Sequence, residues 1–194
     1  EVKKMKNNFV KLAGILFLIG AISAGVLAWL NDSTKDLIAQ NDAMASMDPA
    51  ILEAVMQGSV MFNDYEDTAL VETAKGENNK IINIMTAVDA SGNELGKVVR
   101  TWSTVKGFNG DMELYVGFTP EGKISGVSVI SHQETEGLGS KTTLPAFTDQ
   151  FKGKDGSSEI GENDIDAVTG ATYSSKSFLS AVNNAIEVYT KYLK

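Results

Sequence analysis

The chain has 194 residues, 43% of them hydrophobic, with 17 basic and 25 acidic residues, one histidine and no cysteine. That length suits one domain of ordinary size plus an appendage. The missing cysteines exclude zinc fingers, iron–sulfur clusters, c-type haem attachment and disulfides within this chain, so any redox chemistry calls for an organic carrier.

Taken in chain order, the first element is an uncharged run, "LAGILFLIGAISAGVLAWL", from Leu12 to Leu30. At about 1.5 Å per residue, a helix of this length spans the roughly 30 Å hydrocarbon core of a bilayer. Lys3, Lys4, Lys6 and Lys11 precede it, and Asp32 and Asp36 follow it. By the positive-inside bias, residues 1–11 are expected in the cytoplasm and everything after the span outside. A cleaved signal peptide is the competing reading. The run exceeds a usual signal core, and the bulky Trp29-Leu30 end suits a membrane interface better than a peptidase, which favours a retained anchor. Gly20, Ala24 and Ala28 fall four apart, spacing that either lets a partner helix approach closely or reflects how common small residues are in membrane helices. Residues 31–194 carry 13 basic and 24 acidic residues, a formal charge of −11, which argues against nucleic acid as a partner.

Residues 31–58 are expected to form a helical stalk in two pieces. The first covers roughly 34–46; the second has Asp48 as cap, Pro49 at its first position and Gly58 past its end. Residues 59–194 form the expected extracytoplasmic domain. Within it, 62–80 is acidic, polar and without clean period, and is read as a solvated loop; its triplet Asp64, Glu66 and Asp67 is a weaker candidate for a cation. Two hairpins follow, one turning at Ala90-Ser91-Gly92-Asn93 and the other at Pro120-Glu121-Gly122. After a mixed region, 143–165, a last helix carries Phe178, Val182, Ala185, Ile186, Tyr189 and Leu193 as one apolar stripe. The fold class is therefore α+β: an antiparallel sheet covered by helices, with one N-terminal transmembrane helix.

Two loops carry candidate chemistry. "HQETEGLGSKTT", 132–143, fails as a P-loop because Ser140 separates Gly139 from Lys141, and as a dinucleotide fingerprint because Thr142 stands where a third glycine is needed. A hydrolase built on His132 lacks the nucleophile elbow. What remains is either a plain glycine turn or a loop that admits a ligand close to its backbone. "TGATYSS", 169–175, leads into the last helix, with Ser174 or Ser175 as its expected cap. A helix start exposes unpaired N–H groups and a partial positive charge, so this stretch either caps the helix or receives a phosphate.

Together the two loops resemble a known family. "DAVTGAT", 166–172, is similar to the Asp-x-x-(Ser/Thr)-Gly-Ala-Thr flavinylation motif of FMN-binding domains, and "ETEGLGSK", 134–141, resembles the Glu-Thr-Pro-Gly-Leu-Gly loop ahead of it. The order of anchor, hairpins, Gly-Leu-Gly loop, "FTDQFKGK" and flavinylation motif resembles the G subunit of the Rnf complex across nearly the whole chain. The C subunit of the sodium-pumping NADH:quinone reductase shares both motifs but is generally longer. Two departures stand out: Glu136 replaces the usual proline, and "KGFNGDM", 106–112, lacks the proline that relatives often carry.

The resemblance implies FMN joined through its phosphate to Thr172, attached by a separate metal-dependent flavin transferase with FAD as donor. Thr169, Gly170 and Ala171 would line the phosphate. Glu134, Thr135, Gly137, Leu138 and Gly139 would approach the flavin from the other loop. Lys141 would neutralise charge or be a plain surface residue. Asp166 would serve transferase recognition or brace its loop, and His132 is expected to hydrogen-bond at a strand end. No catalytic residue and no metal site is expected. The chain would be a single-pass subunit of the cell (inner) membrane in a hetero-oligomer, carrying electrons within a complex that couples ferredoxin and NAD to Na+ or H+ pumping. Another flavinylated extracytoplasmic shuttle is the near alternative, and an anchored non-redox binding module is the distant one.

Overall fold

The structure is a computed structural model that describes the backbone of residues 2–45 and 48–194 and the side chains of 11–30, 33, 34 and 48–194. Lys3, Lys4, Lys6, Asp32 and Asp36, on which the expected orientation rests, lie outside the described side chains. The chain divides into two units, 1–44 and 45–194.

The first unit is one helix, α1, Val2–Ala45. Its stretch Lys11–Leu30 has a mean hydropathy of 2.2 and none of it is buried, so it is long and apolar enough to cross a membrane. The helix continues beyond Leu30 without a break, so the expected first stalk piece is the same helix prolonged.

The second unit is built on a five-stranded antiparallel sheet in sequential order: β1 (Met61–Asp64), β2 (Ile81–Val88), β3 (Glu94–Trp102), β4 (Glu113–Phe118) and β5 (Ile124–Ser131). Both anticipated hairpins are present. In the first, the Asp89 carboxylate accepts from the backbone N–H groups of Ser91 and Asn93, and Gly92 takes φ 82°. Helix α2 (Pro49–Val55) is capped by Asp48, whose side chain accepts from the Ala50 N–H at 2.8 Å. It does not stand off as stalk. Leu52 and Val55 are buried, and Val55 and Met56 pack with Met85, Ala87, Val98 and Tyr115 on one face of the sheet. The paired glycines Gly117 and Gly126 make this contact close: a Cβ on Gly126 would collide with the Ala54 carbonyl oxygen.

The other face carries the main core. Helix α3 (Thr68–Glu77) contributes Val71 and Ala74; α4 (Pro145–Thr148) and the short turn after it contribute Phe147 and Phe151. Helix α5 (Thr172–Val188) runs across the sheet with Phe178, Val182, Ala185 and Ile186 buried against Leu114, Val116 and Phe118. Its stripe continues into a π-helical turn, Tyr189–Leu193, where Tyr189 stacks on Phe118 with ring centroids 4.4 Å apart.

The expected loop at 62–80 is instead strand β1 followed by α3. Asp67 caps α3 by accepting from the Leu70 N–H, and Asp64 accepts from the Asn83 side chain. Glu66, Asp67, Glu72, Lys75 and Glu77 hide a two-residue apolar contact that only the sheet completes.

Candidate functional site

The two motif loops meet at the N-terminus of α5. Residues 168–171 form a turn closed by the Ala171 N–H on the Val168 carbonyl, with Gly170 at its third position at φ 78°. Residues 135–138 repeat the device: the Leu138 N–H reaches the Thr135 carbonyl, and Gly137 takes φ 74°. Both glycines hold left-handed backbone that other residues adopt only at a cost. The turns touch, since a Cβ on Gly170 would come 3.3 Å from Leu138 Cδ1.

Glu134 joins them. It is 7% exposed, and its Oε2 accepts from the Ser174 hydroxyl at 2.6 Å, while Oε1 accepts from the Asn109 N–H at 3.4 Å. Asn109 also donates through its side chain to the Thr135 hydroxyl. Gly139 fits beneath this junction only because it lacks a Cβ, which would lie 2.6 Å from both Glu134 Oε2 and Ser174 Oγ. Thus a third loop, 103–112, belongs to the site. It is tied to α5 by the buried Ser177–Ser103 hydroxyl pair and by the Val105 N–H on Ser180.

These contacts border an open cleft with about 320 Å³ of unfilled space, part of it open to solvent. Glu134, Thr135, Leu138 and Gly139 line one wall, Gly170, Ala171 and Thr172 the other. Phe108, Tyr173 and Ser174 complete it, and the sequence offered no reason to single out the first two. Gly137, Lys141, Thr169 and Asp166 are exposed and outside the lining. Gly137 shapes its turn. Asp166 is held through its backbone, whose N–H and carbonyl both pair with the Gln150 side chain. His132 Nδ1 accepts from the Glu134 N–H at 3.1 Å, so the ring braces the loop at the end of β5.

The expected cap is corrected. Helix α5 begins at Thr172, and neither Ser174 nor Ser175 precedes it. Ser175 lies in the first turn, accepting from the Val168 N–H and donating to the Ala171 carbonyl, and Ser174 binds Glu134. Among the described residues, no side chain caps α5. The N–H groups at a helix start have no intrahelical acceptor, so those of Thr172, Tyr173 and Ser174 face the cleft end with the helix's partial positive charge. Thr172 is exposed, and no described side chain hydrogen-bonds its hydroxyl. The arrangement can therefore hold a phosphate, while nothing described activates the exposed Thr172 hydroxyl. Among the described residues, no group of three or more acidic or histidine side chains is placed to hold a metal. The residues present fit a phosphate-bearing cofactor.

Comparison with known proteins bears on the same region. Residues 107–187 match the FMN-binding domain family. Over 197 residues the chain is 30% identical to the G subunit of the Na(+)-translocating ferredoxin:NAD(+) oxidoreductase complex of Acetobacterium woodii, covering 95% of this chain and 93% of that one. It is 28% identical to the G subunit of the ion-translocating oxidoreductase complex of Shewanella baltica, covering 94% of this chain and 90% of that protein. Among solved structures, the NqrC of Shewanella oneidensis aligns over 78% of this chain and 71% of its own, at 22% identity and a TM-score of 0.47.

Proposed function

Because the chain belongs to the family of G subunits of ion-translocating, Rnf-type ferredoxin:NAD oxidoreductase complexes, we propose that it is a membrane-anchored flavoprotein electron carrier with FMN linked through its phosphate to Thr172. The observation that carries this reading is the cleft in which both motif loops meet an uncapped helix start, with Thr172 exposed at its rim. Thr169, Gly170 and Ala171 form the turn beside the phosphate, and the free amides of α5 offset its charge. Glu134, Thr135, Leu138 and Gly139 supply the facing wall.

Thr172 is an acceptor during maturation. A separate flavin transferase lets its hydroxyl oxygen form the new bond to the flavin-bearing phosphorus of FAD as the phosphoanhydride breaks. AMP leaves, and the threonine proton is lost. Asp166, exposed and gripped only through its backbone, is available for recognition by that enzyme. Once attached, the cofactor cannot diffuse away: a tether keeps its effective concentration near millimolar or above. The bound FMN supplies one- and two-electron chemistry, which no side chain of this chain can provide. Partner membrane subunits give and take the electrons, with α1 as the anchor, its N-terminus cytoplasmic and the FMN domain outside. Ferredoxin and NAD act on other subunits.

Intact mass and in-gel flavin fluorescence test this, on full-length protein produced with and without a flavin transferase. The added mass of one FMN, absent in Thr172→Ala and without the transferase, is the expected result. An unmodified mass in the transferase-containing host overturns the covalent linkage.

A further inference from the structure

Glu134 is held from both ends. Its carboxylate accepts from Ser174 and from the Asn109 N–H, and its own backbone N–H donates to His132 Nδ1 across 3.1 Å. A backbone N–H can only donate, so Nδ1 carries no proton in this arrangement and the ring proton sits on Nε2. The contact spans two residues, as when an Asn or Asp side chain accepts from the N–H two positions on. His132 thus closes an Asx-type turn with the side chain type whose ordinary titration falls between about pH 5 and 8. It is also the only histidine in the chain.

A proton on Nδ1 replaces the acceptor with a second donor. The Glu134 N–H then loses its partner at a residue only 7% exposed, where water does not readily take the ring's place. Nor can the residue shift within its packing. A Cβ on either Gly107 or Gly139 would collide with the Glu134 carboxylate, so that group already fills the space between them. Relief lies outward, away from Ser174 and the start of α5. The other charged groups on the segments packed here are paired or exposed. Glu113, on β4 opposite Ser131, pairs with Arg100; Asp111, on the third loop, pairs with Lys80; Lys176, on α5, pairs with Glu162. Lys106, Glu136 and Lys141 are exposed. Among the described residues, none of these replaces Nδ1 as acceptor for the Glu134 N–H.

We propose that His132 is a pH-sensitive latch on the cleft: neutral, it holds the Gly-Leu-Gly loop against α5, and protonated, it releases that wall. The hold is present above the histidine range and is lost as pH falls through it. With the domain outside the membrane, as proposed above, the latch answers to the pH of that compartment. Its mechanism does not depend on which ligand the cleft takes.

The test uses full-length protein in detergent, as parent, His132→Asn and His132→Leu. Asparagine keeps an acceptor for the N–H two residues on and does not titrate, whereas leucine removes the acceptor at every pH. Amide hydrogen exchange of segments 132–139 and 172–176 is read by mass spectrometry at about pH 7.5 and about pH 5.5. Comparing the three proteins at one pH cancels the chemical exchange rate. At the higher pH, parent and asparagine variant are expected to be equally protected, and the leucine variant to exchange about two- to tenfold faster, the worth of one hydrogen bond. At the lower pH, the parent is expected to match the leucine variant while the asparagine variant stays protected. The loss follows the titration of the single histidine, read by NMR of isotope-labelled imidazole. A parent that tracks the asparagine variant at both pH values overturns the latch. So does an acid loss shared by all three proteins, which would place the titrating group at a carboxylate such as Glu134. If the leucine variant fails to fold, the divergence of parent from asparagine variant at the lower pH still decides.

Discussion

The Ser174 hydroxyl donates to Glu134 Oε2 across 2.6 Å, and both groups are buried. Forty positions apart in the chain, these two residues pin the Gly-Leu-Gly loop to the first turn of the last helix. The walls of the cleft are thereby fixed before any cofactor arrives.

Ser174→Ala leaves the Glu134 carboxylate with only the longer contact from the Asn109 N–H. A buried acceptor stripped of a partner costs about 1–3 kcal/mol, which denaturant unfolding of the purified protein measures. The FMN mass yield falls with it, because the two walls separate. An unchanged unfolding midpoint removes Glu134 and Ser174 as the clasp.

The two glycines of one loop separate by mechanism. Gly139→Ala drives a Cβ to within 2.6 Å of Glu134 Oε2 and Ser174 Oγ, so the clasp itself must shift, at about 1–3 kcal/mol for overpacking and with loss of flavin yield. Gly137 has nothing within 4 Å of a built Cβ but holds φ 74°. Gly137→Ala therefore meets only backbone strain of about 1–2 kcal/mol, and flavin yield is largely kept. Equal yields in the two variants contradict this division.

Thr172→Ser keeps a hydroxyl at the helix start and is expected to retain covalent FMN. Thr172→Val keeps the shape and removes the hydroxyl, and no FMN mass is expected. Modification of the valine variant would move the attachment point elsewhere.

Arg100 Nε lies 2.5 Å from Glu113 Oε1, and the Glu113 side chain is 5% exposed. Arg100→Met strands that carboxylate and costs about 3–5 kcal/mol. Adding Glu113→Gln recovers part of the loss, so a double-mutant cycle in denaturant shows coupling. Additive effects rule the pair out as a stabilising unit.

At the C-terminal end, Lys191 donates to Glu77 and holds that carboxyl below its usual 4.5. A depressed folded-state value contributes stability above the unfolded pKa and loses it as pH falls through the folded one. Glu77→Gln is expected to lower the melting temperature slightly and uniformly at neutral pH and to flatten its decline below about pH 4.5. An unaltered acid limb excludes the pair from the pH response.

Much of this was legible in the chain. Charge-free length announced the α1 span, and glycine turns between alternating runs announced both hairpins. The 3.6-residue stripe from Phe178 to Tyr189 announced α5, because a helix packed on one face leaves that period behind. Helix α3 was not legible, since two buried apolar residues, Val71 and Ala74, make no period among its charged neighbours. Nor was the role of 49–55: a capped helix reads the same whether it extends from a domain or packs on it.

By itself the sequence determined a span of membrane-crossing length, the α+β order and, through its resemblance to a known family, Thr172 as the candidate acceptor, because spans, periods and a contiguous motif are local properties. Only the tertiary structure decided where α5 starts and what Ser174 and Ser175 do. Only it brought Phe108, Leu138 and Tyr173 to one cleft mouth. Those outcomes depend on the approach of segments tens of residues apart, and burial and hydrogen-bond geometry between them carry no signature along the chain.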